Sequence, residues 1–191
     1  IRRSRDGHRR RLRRLSPRGL PDSYWIRPRI AADDPVLVGV EKRAAERFRM
    51  HGHAAIADMP ASSPGAFAAS WAGHEVLVAT GPDGGPVGFA AAAPIDAFFH
   101  LAELSVDPNH GRIGIGQALV EAIAGLADRR GLAGVTLTTF RDVPFNAPFY
   151  ARLGFVEMPL SDAPVTLRER FLAELPPQTA VEARVLMLRR L

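Results

Sequence analysis

Residues 102–131 constrain this chain more than any other stretch, because a strand pattern changes there into a helix pattern across a glycine-rich loop. Glu103–Val106 alternates between apolar and polar residues, which predicts a strand. Pro108 ends that strand, since proline donates no hydrogen bond to a sheet. From Gln117 onward the apolar residues recur at helical spacing. The stretch therefore predicts a strand, a glycine loop and a helix in direct succession.

The loop between this strand and this helix predicts an anion-binding site. The first backbone N–H groups of a helix have no partner within the helix, and the helix dipole adds about half a positive charge there. Gly114 and Gly116 would let a phosphate approach the backbone, and Arg112 adds a cation suited to phosphate oxygens. The Gly-x-x-Gly-x-Gly spacing from Gly111 differs from the dinucleotide fingerprint and from the nucleotide P-loop. Taken alone, such a loop is also compatible with a tight turn.

With its flanks, the stretch resembles motif A of the GNAT superfamily of acetyl-CoA-dependent N-acetyltransferases. The matching segments are LSVDP (Leu104–Pro108), RIGIGQAL (Arg112–Leu119) and FYARLGF (Phe149–Phe155). The resemblance implies acetyl-CoA as the acetyl donor, with its pyrophosphate bound by backbone N–H groups of the glycine loop. The chain departs from the family pattern at Gly111, where glutamine or arginine is usual, and Arg112 is then the nearby basic group.

The resemblance also implies which residues bind the cofactor. In the family two central parallel strands splay apart, and the pantetheine arm of coenzyme A lies between them against the backbone of the first. The implied cofactor-binding residues are Leu104, Ser105, Val106, Arg112, Ile113, Gly114, Ile115, Gly116, Gln117 and Asn146. For Asn146 a helix-capping role stays open as the alternative.

Acetyl transfer to an amine needs a base for the amine and a proton for the departing thiolate. The resemblance places Tyr150 where many members of the family carry the tyrosine that hydrogen-bonds the coenzyme A sulfur; a phenol with a pKa of about 10 can donate there. The alternation predicts Glu103 on the face opposite Leu104 and Val106, where it is the candidate base. A core aromatic for Tyr150 and a solvent-facing glutamate for Glu103 stay open, and His100 is a second candidate base.

Neither metal chemistry nor a covalent acyl-enzyme is predicted. The chain has no cysteine, which excludes a thiolate metal site and a cysteine nucleophile. No Ser-His-Asp arrangement is evident in the sequence. Of the histidines, only His51 and His53 have a ligand-like spacing, and that pair stands alone. We therefore predict direct attack of the amine on the thioester, without a metal.

The positive charge of the chain is concentrated at its start. Residues 1–18 contain nine arginines and one aspartate, a net charge of +8, whereas the remainder has 16 basic and 19 acidic residues, a net charge of −3. A basic arm of this kind could bind nucleic acid or an anionic membrane. Its low apolar content cannot support a core, so residues 1–22 are predicted to be a disordered arm or an over-extended start. On that interpretation nucleic acid is not expected as a partner. A membrane is not expected either, since no apolar run approaches the ~20 residues that cross a bilayer.

Residues 23–191 are predicted to form one α/β domain. The patterns follow the order β-α-α-β-β-β-α-β-α-β-(α)-β, and GPDGG at Gly81–Gly85 predicts a hairpin turn. The strand after the glycine-loop helix should pair in parallel with the strand before the loop. Together these features predict a GNAT-like mixed, splayed central sheet flanked by helices.

The predicted function is that of a cytoplasmic acetyl-CoA-dependent N-acetyltransferase that acts on a primary amine. A small-molecule amine is favoured over a protein amine, and a homodimer is left open. The alternatives are a non-catalytic module that binds coenzyme A or a nucleotide, and nucleic-acid binding through the arm. The amine itself is not predicted, because acceptor pockets of this family are built from the variable early helices and the segment that corresponds to Pro159–Thr179.

Overall fold

The computed structural model describes residues 20–191, so the predicted arm lies almost wholly outside the described residues. The strands form one sheet of order β1-β2-β3-β4-β5-β7-β6. They are β1 (Trp25–Pro28), β2 (Glu75–Thr80), β3 (Pro86–Ile95), β4 (Phe98–Val106), β5 (Gly134–Phe140), β6 (Val156–Glu157) and β7 (Arg184–Arg190). The helices are α1 (Asp34–Ala45), α2 (Ala54–Asp58), α3 (Pro64–Ser70), α4 (Ile115–Arg129), α5 (Ala147–Arg152) and α6 (Val165–Ala173). No helix in the described part is both long enough and apolar enough to cross a membrane.

The pairing of β4 with β5 is parallel, as predicted, but very short. Phe98–His100 pairs with Gly134–Thr136, and the parallel ladder ends there. β5 continues along β7 over its whole length, so β5 keeps its place in the sheet while β4 diverges from it. The β4 edge from Leu101 to Val106 therefore has no ladder partner on the β5 side among the described residues. The mixed, splayed sheet predicted from the sequence is confirmed.

Helices cover both faces of the sheet because successive strand residues point to opposite sides. Ala90 of β3 lies in an apolar cluster with Leu119 and Ile123 of α4, and all three side chains are buried. The next residue back, Phe89, packs on the other face with Leu37 of α1 and with residues of α3. A third cluster packs α6 against β7. These layers hold β4 and β5 at the point where they separate.

The observed boundaries differ from the predicted ones in three places. α4 begins at Ile115, two residues earlier than its apolar pattern indicated, because Gly114 has a left-handed conformation and serves as its N-cap. α2 and the 3-10 turn Glu46–His51 were not predicted, since five or six residues are too few to show a helical period. The residue pattern predicts a strand over Phe155–Met158, and the observed strand, β6, is limited to Val156–Glu157. The GPDGG hairpin turn is present, with the Gly81 N–H donating to the carbonyl of Gly85 over 2.9 Å.

Candidate active site

A cavity of about 1200 Å³ opens where β4 and β5 diverge. Its walls come from β4, the glycine loop, the first turn of α4, β5 and α5 on one side, and from the segments that follow α1 and α6 on the other. Pockets for drug-sized ligands measure about 300–1,000 Å³. The cavity therefore has room for a large cofactor together with a small second molecule.

The glycine loop enters α4 through left-handed backbone conformations at two of its residues. Arg112 and Gly114 have φ values of 64° and 90°, in the left-handed region. The N–H groups of Ile115–Gln117 have no acceptor within the helix, and these residues line the cavity. A β-carbon added to Gly116 would lie 3.5 Å from Phe149, so a small side chain fits there but would enter the cavity. This arrangement is suited to binding an anion.

Contacts from α1 and from the residue just before β1 hold this loop in place. Asp107 accepts hydrogen bonds from the Asn109 N–H over 3.0 Å and from the Arg43 guanidinium over 2.6 and 2.9 Å. Burial acts to raise the pKa of Asp107, but the hydrogen bonds from Arg43 and Asn109 outweigh it and keep the pKa below its ordinary value. The hydroxyl of Tyr24 lies 3.0 Å from Nδ1 of His110 on the other side. Nδ1 of His110 thereby has a hydrogen-bond partner within the same chain.

Tyr150 and Glu103 line the same cavity. Tyr150 is 9% exposed, and burial, followed by the charge of Glu103, raises the pKa of its phenol, which is therefore protonated at neutral pH. Burial also raises the pKa of Glu103, against the effect of the Ser105 hydroxyl, which donates to it over 2.8 Å. A raised pKa suits a carboxylate that must take up a proton.

A β-bulge brings Glu103 into the gap between the strands. Ala91 of β3 pairs with Glu103 and the adjacent Ala92 pairs with Leu101, which makes Ala102 the extra residue on β4. As a result, the four consecutive residues from Leu101 to Leu104 all line the cavity. A strictly alternating strand could present only every second residue. The alternation of apolar and polar residues did not indicate this bulge.

Most of the residues predicted to bind the cofactor line the cavity. These are Leu104, Val106, Arg112, Gly114, Ile115, Gly116, Gln117 and Asn146. Ser105 is buried and donates to Glu103, and Ile113 packs against the core cluster of α4, so neither side chain lines the cavity. Asn146 occupies the N-cap of α5 without a capping hydrogen bond from its side chain, so the capping alternative is not observed.

His100 lies in a buried hydrogen-bond network behind the cavity. The imidazole is 1% exposed, with Nδ1 3.0 Å from the Thr136 hydroxyl and Nε2 3.2 Å from both carboxylate oxygens of Glu174. Thr138 donates to Glu174 over 2.6 Å, and Arg184 donates to Thr138 over 2.7 Å. Of this network, Thr138, Glu174 and Arg184 line the cavity. His100 therefore reaches the cavity only through Glu174.

Glu174 is a functional candidate that the sequence analysis missed. Burial acts to raise its pKa, but the hydrogen bond from His100, together with that from Thr138, keeps the pKa below its ordinary value. One signal was present in the sequence. Glu174 ends α6, where the helix dipole disfavours a carboxylate, and a residue placed against that preference needs another reason to be there.

Aromatic side chains form the wall of the cavity next to this network. The ring of Phe48 lies 5.6 Å from that of Phe140 and 5.1 Å from that of Phe145 between centroids. Arg184 lies over Phe140 at 4.8 Å, and Arg47 lies over Phe145 at 3.9 Å. We call Phe48, Phe140 and Phe145 the aromatic wall. It was not predicted, because Phe48 lies in a short turn, Phe140 is the last residue of β5 and Phe145 lies in the loop that follows.

The two histidines at ligand-like spacing each contact a different ring of the aromatic wall. His51 lies 5.4 Å from the ring of Phe145, and His53 lies 4.0 Å from that of Phe140. Within residues 20–191, no group of three or more His, Cys, Asp or Glu side chains could hold a metal ion.

Comparisons with known proteins agree with this geometry. Residues 72–157 match the family model described as the acetyltransferase (GNAT) domain, and that range contains the glycine loop, Glu103 and Tyr150. The ribosomal-protein-S18-alanine N-acetyltransferase of Escherichia coli has a similar structure, with a TM-score of 0.63, 20% identity, and coverage of 87% of this chain and 93% of that one.

Two further solved structures share the fold. The PaiA N-acetyltransferase of Thermoplasma acidophilum, solved in complex with coenzyme A, has a TM-score of 0.61 and 16% identity over 88% of this chain and 99% of that one. A GCN5-related N-acetyltransferase of Rhodopseudomonas palustris has a TM-score of 0.64 and 24% identity over 94% of this chain and 99% of that one. At these sequence identities, the similarity to the three solved structures establishes the fold alone. The family model identifies residues 72–157 as an acetyltransferase (GNAT) domain. The chain therefore contains a GNAT acetyltransferase domain over residues 72–157, and the protein is an acyltransferase enzyme.

Proposed function

We propose that this protein transfers an acetyl group from acetyl-CoA to a primary amine by direct attack of the amine on the thioester. The observation that carries the proposal is the gap between β4 and β5, which opens beside the glycine loop and brings Glu103 and Tyr150 into one cavity. A structurally similar N-acetyltransferase was solved in complex with coenzyme A. A small-molecule amine is the favoured acceptor, since it fits the room left in the cavity.

The glycine loop and β4 would bind acetyl-CoA. Backbone N–H groups of Ile115–Gln117, which have no acceptor within the helix, would donate to its pyrophosphate, and Arg112 would supply a cation from the same cavity lining. The unpaired β4 edge from Leu101 to Val106 offers N–H and C=O groups to the amides of pantetheine, as a strand edge does for a peptide. Asn146 lines the cavity from the start of α5 and adds a polar contact.

Glu103 and Tyr150 would handle the protons. Glu103 takes the proton of the acceptor ammonium, directly or through water, and the free amine then attacks the thioester carbon. The new C–N bond forms and the C–S bond breaks, with the electron pair leaving on sulfur, and the nitrogen loses its second proton to water as the amide forms. Tyr150 donates its phenol hydrogen bond, or its proton, to that sulfur as negative charge develops there.

The proposal is tested by measuring the binding of acetyl-CoA by calorimetry and thiol release over a panel of amines. We expect binding and amine-dependent thiol release, and acetyl-CoA should also raise the Tm because it binds the folded state. Binding without thiol release for any amine would favour the non-catalytic module. No binding at millimolar acetyl-CoA would overturn the assignment.

Tyr150→Phe is expected to lower kcat about ten- to a hundredfold, with little change in the Kd of acetyl-CoA. The hydroxyl stabilises sulfur mainly as the C–S bond breaks, so its loss affects the transition state more than binding. A thiolate is already a good leaving group, which places the effect near the low end of the ~10²–10⁴-fold range of general acids. Single-turnover kinetics and calorimetry on both proteins check this. An unchanged kcat would make Tyr150 a packing residue only.

A further inference from the structure

One end of the cavity is lined by Glu103, Thr138, Glu174 and Arg184, and we call it the acceptor end. It contains a carboxylate that the proposed chemistry does not use. Acetyl transfer requires one base, and Glu103 fills that role, yet Glu174 also lines the cavity from the end of α6. Its side chain is 20% exposed. A carboxylate held at a cavity wall without a chemical task in the reaction is a candidate for binding the substrate.

The side-chain hydrogen bonds found around Glu174 within residues 20–191 all end on its carboxylate oxygens. His100 approaches both oxygens from behind at 3.2 Å, and Thr138 donates to one of them over 2.6 Å. Arg184 donates to Thr138 and so supports this arrangement from β7. These bonds fix the orientation of the carboxylate before any ligand binds. Glu174 is therefore a preorganised acceptor of hydrogen bonds from a cation.

The charges at this end of the cavity favour one added positive charge. The guanidinium of Arg184 opposes Glu103 and Glu174, since its charge interacts with both. Arg47 also lines the cavity, over Phe145, but the charge that acts on it is that of Arg112 in the glycine loop, so Arg47 belongs with the basic groups of that loop. Arg170 approaches Glu174 only to 3.8 Å, with its side chain 39% exposed and outside the cavity lining, so water screens that pair. A monocation would bring the three cavity groups to neutrality, whereas an amino acid would add a further carboxylate.

The aromatic wall continues directly from these charged groups. Arg184 joins the two, since it donates to Thr138 and lies over Phe140, whose ring contacts Phe48. Ile56 and Met59, which also line the cavity, extend this apolar surface beyond the three rings. Met59 is 58% exposed. Apolar side chains of a cavity wall gain stability when a ligand removes them from water, at about 25 cal/mol per Å².

We infer that the acceptor is a monocationic primary amine with an aromatic or similarly flat apolar body and no carboxylate beside the amine, and that its ammonium group is held by Glu174 while its body lies on the aromatic wall. The inference rests on the proposed function and adds the substrate class. Glu174 then orients the ammonium and Glu103 takes its proton. The pKa values, lowered at Glu174 and raised at Glu103, support this division of roles.

Three matched amines test the substrate class. 2-Phenylethylamine carries the ammonium and the ring, ethylamine lacks the ring, and L-phenylalanine adds a carboxylate. We expect kcat/KM for 2-phenylethylamine to exceed that of either other amine about tenfold or more. Ethylamine has no ring to bury against the aromatic wall, and the carboxylate of L-phenylalanine would lie close to carboxylates of the protein. Equal kcat/KM for all three, or a preference for L-phenylalanine, would overturn the inference.

Glu174→Gln tests the anchoring residue, with Glu169→Gln as the control on the exposed face of the same helix. We expect Glu174→Gln to raise the KM and the Kd of 2-phenylethylamine on the order of ten- to a hundredfold, the scale of one charged hydrogen bond. Its acetyl-CoA affinity should not change, and Glu169→Gln should match the wild type in all of these measurements. An unchanged Kd for the amine in Glu174→Gln would overturn the inference.

Direct binding by calorimetry separates this inference from the proposed function. Glu174-dependent binding of 2-phenylethylamine without thiol release would contradict the acetyltransferase activity and support the amine site. Thiol release from acetyl-CoA with other amines, but no binding of 2-phenylethylamine, would support the acetyltransferase activity and contradict the amine site.

Discussion

Glu103→Gln is expected to lower kcat by about a hundredfold or more at neutral pH, because a general base typically contributes ~10²–10⁴-fold. The amide keeps the size of the side chain and can still accept the hydrogen bond from Ser105, but it cannot take a proton from the ammonium. The affinity for acetyl-CoA should change little, since the glycine loop provides most of that binding. The measurement is kcat beside the Kd of acetyl-CoA.

The pH dependence identifies Glu103 more specifically than the loss of rate. The pKa of Glu103 is raised by burial. The profile of kcat/KM against pH should therefore have an acidic limb, a fall as the pH is lowered through a range above the ordinary pKa of about 4.3 for glutamate. Glu103→Gln should lose that acidic limb. The other charged or titratable groups that interact with it come from four elements: Glu174, Tyr150, Arg184 and Glu41. The pKa of Glu41 is raised to about 7 by burial and by the charge of Glu103.

Glu41→Gln is therefore the matched control for this pH profile. It removes a neighbouring carboxylate on α1 that does not line the cavity, and it should preserve the limb while moving it to lower pH. If Glu41→Gln abolished the limb and Glu103→Gln preserved it, the base would be wrongly assigned.

Instability cannot account for a loss of activity in Glu103→Gln. The pKa of Glu103 is higher in the folded state than in the unfolded state, so the folded state binds the proton more tightly. Its contribution to stability is therefore greatest at low pH and declines as the pH rises through the raised pKa. At pH 7 the neutral amide should leave the free energy of unfolding equal or higher, which urea titration would measure.

The parts of the site that could be predicted from the sequence are those encoded locally. The glycine loop and the start of α4 depend on residues within a few positions of one another, and so does the shared face of Glu103 and Ser105. Backbone conformation and alternation are short-range properties, which a single sequence records. That is why most of the residues named around the glycine loop line one cavity, whereas their binding of an anion stays a prediction.

The acceptor end depends on contacts between distant segments. Glu174 reaches His100 across 74 positions, and Arg184 reaches Thr138 across 46. α6 has only a loose apolar stripe, so the sequence did not reveal which way Glu174, the residue that follows its last turn, is directed. The bulge at Ala102 is likewise set by the pairing with β3, and not by the residues of β4 alone. Tertiary packing decides these features.

Gly114→Val is expected to raise the Kd of acetyl-CoA about a hundredfold or more. Two or more charged hydrogen bonds from the loop backbone would be lost, each of which contributes about 1.5–3 kcal/mol. A valine there also carries a backbone penalty of roughly 1–2 kcal/mol, since Gly114 has a φ of 90°. Calorimetry with acetyl-CoA measures the binding, and urea unfolding measures the penalty.

Two controls distinguish the loss of acetyl-CoA binding in the cavity from the effect of backbone strain. Gly131→Val, just beyond the other end of α4, has a φ of 67° and no atom within 4 Å of an added β-carbon, so it should lose similar stability and keep full affinity for acetyl-CoA. Gly116→Val has no positive φ, so it should lose affinity with much less loss of stability, because its side chain enters the space beside Phe149. If Gly131→Val weakened binding as much as Gly114→Val, strain alone would explain the effect. If both Gly114→Val and Gly116→Val kept the wild-type Kd, the pyrophosphate would have to lie elsewhere, because a β-branched side chain at either position blocks close approach of a phosphate to the backbone.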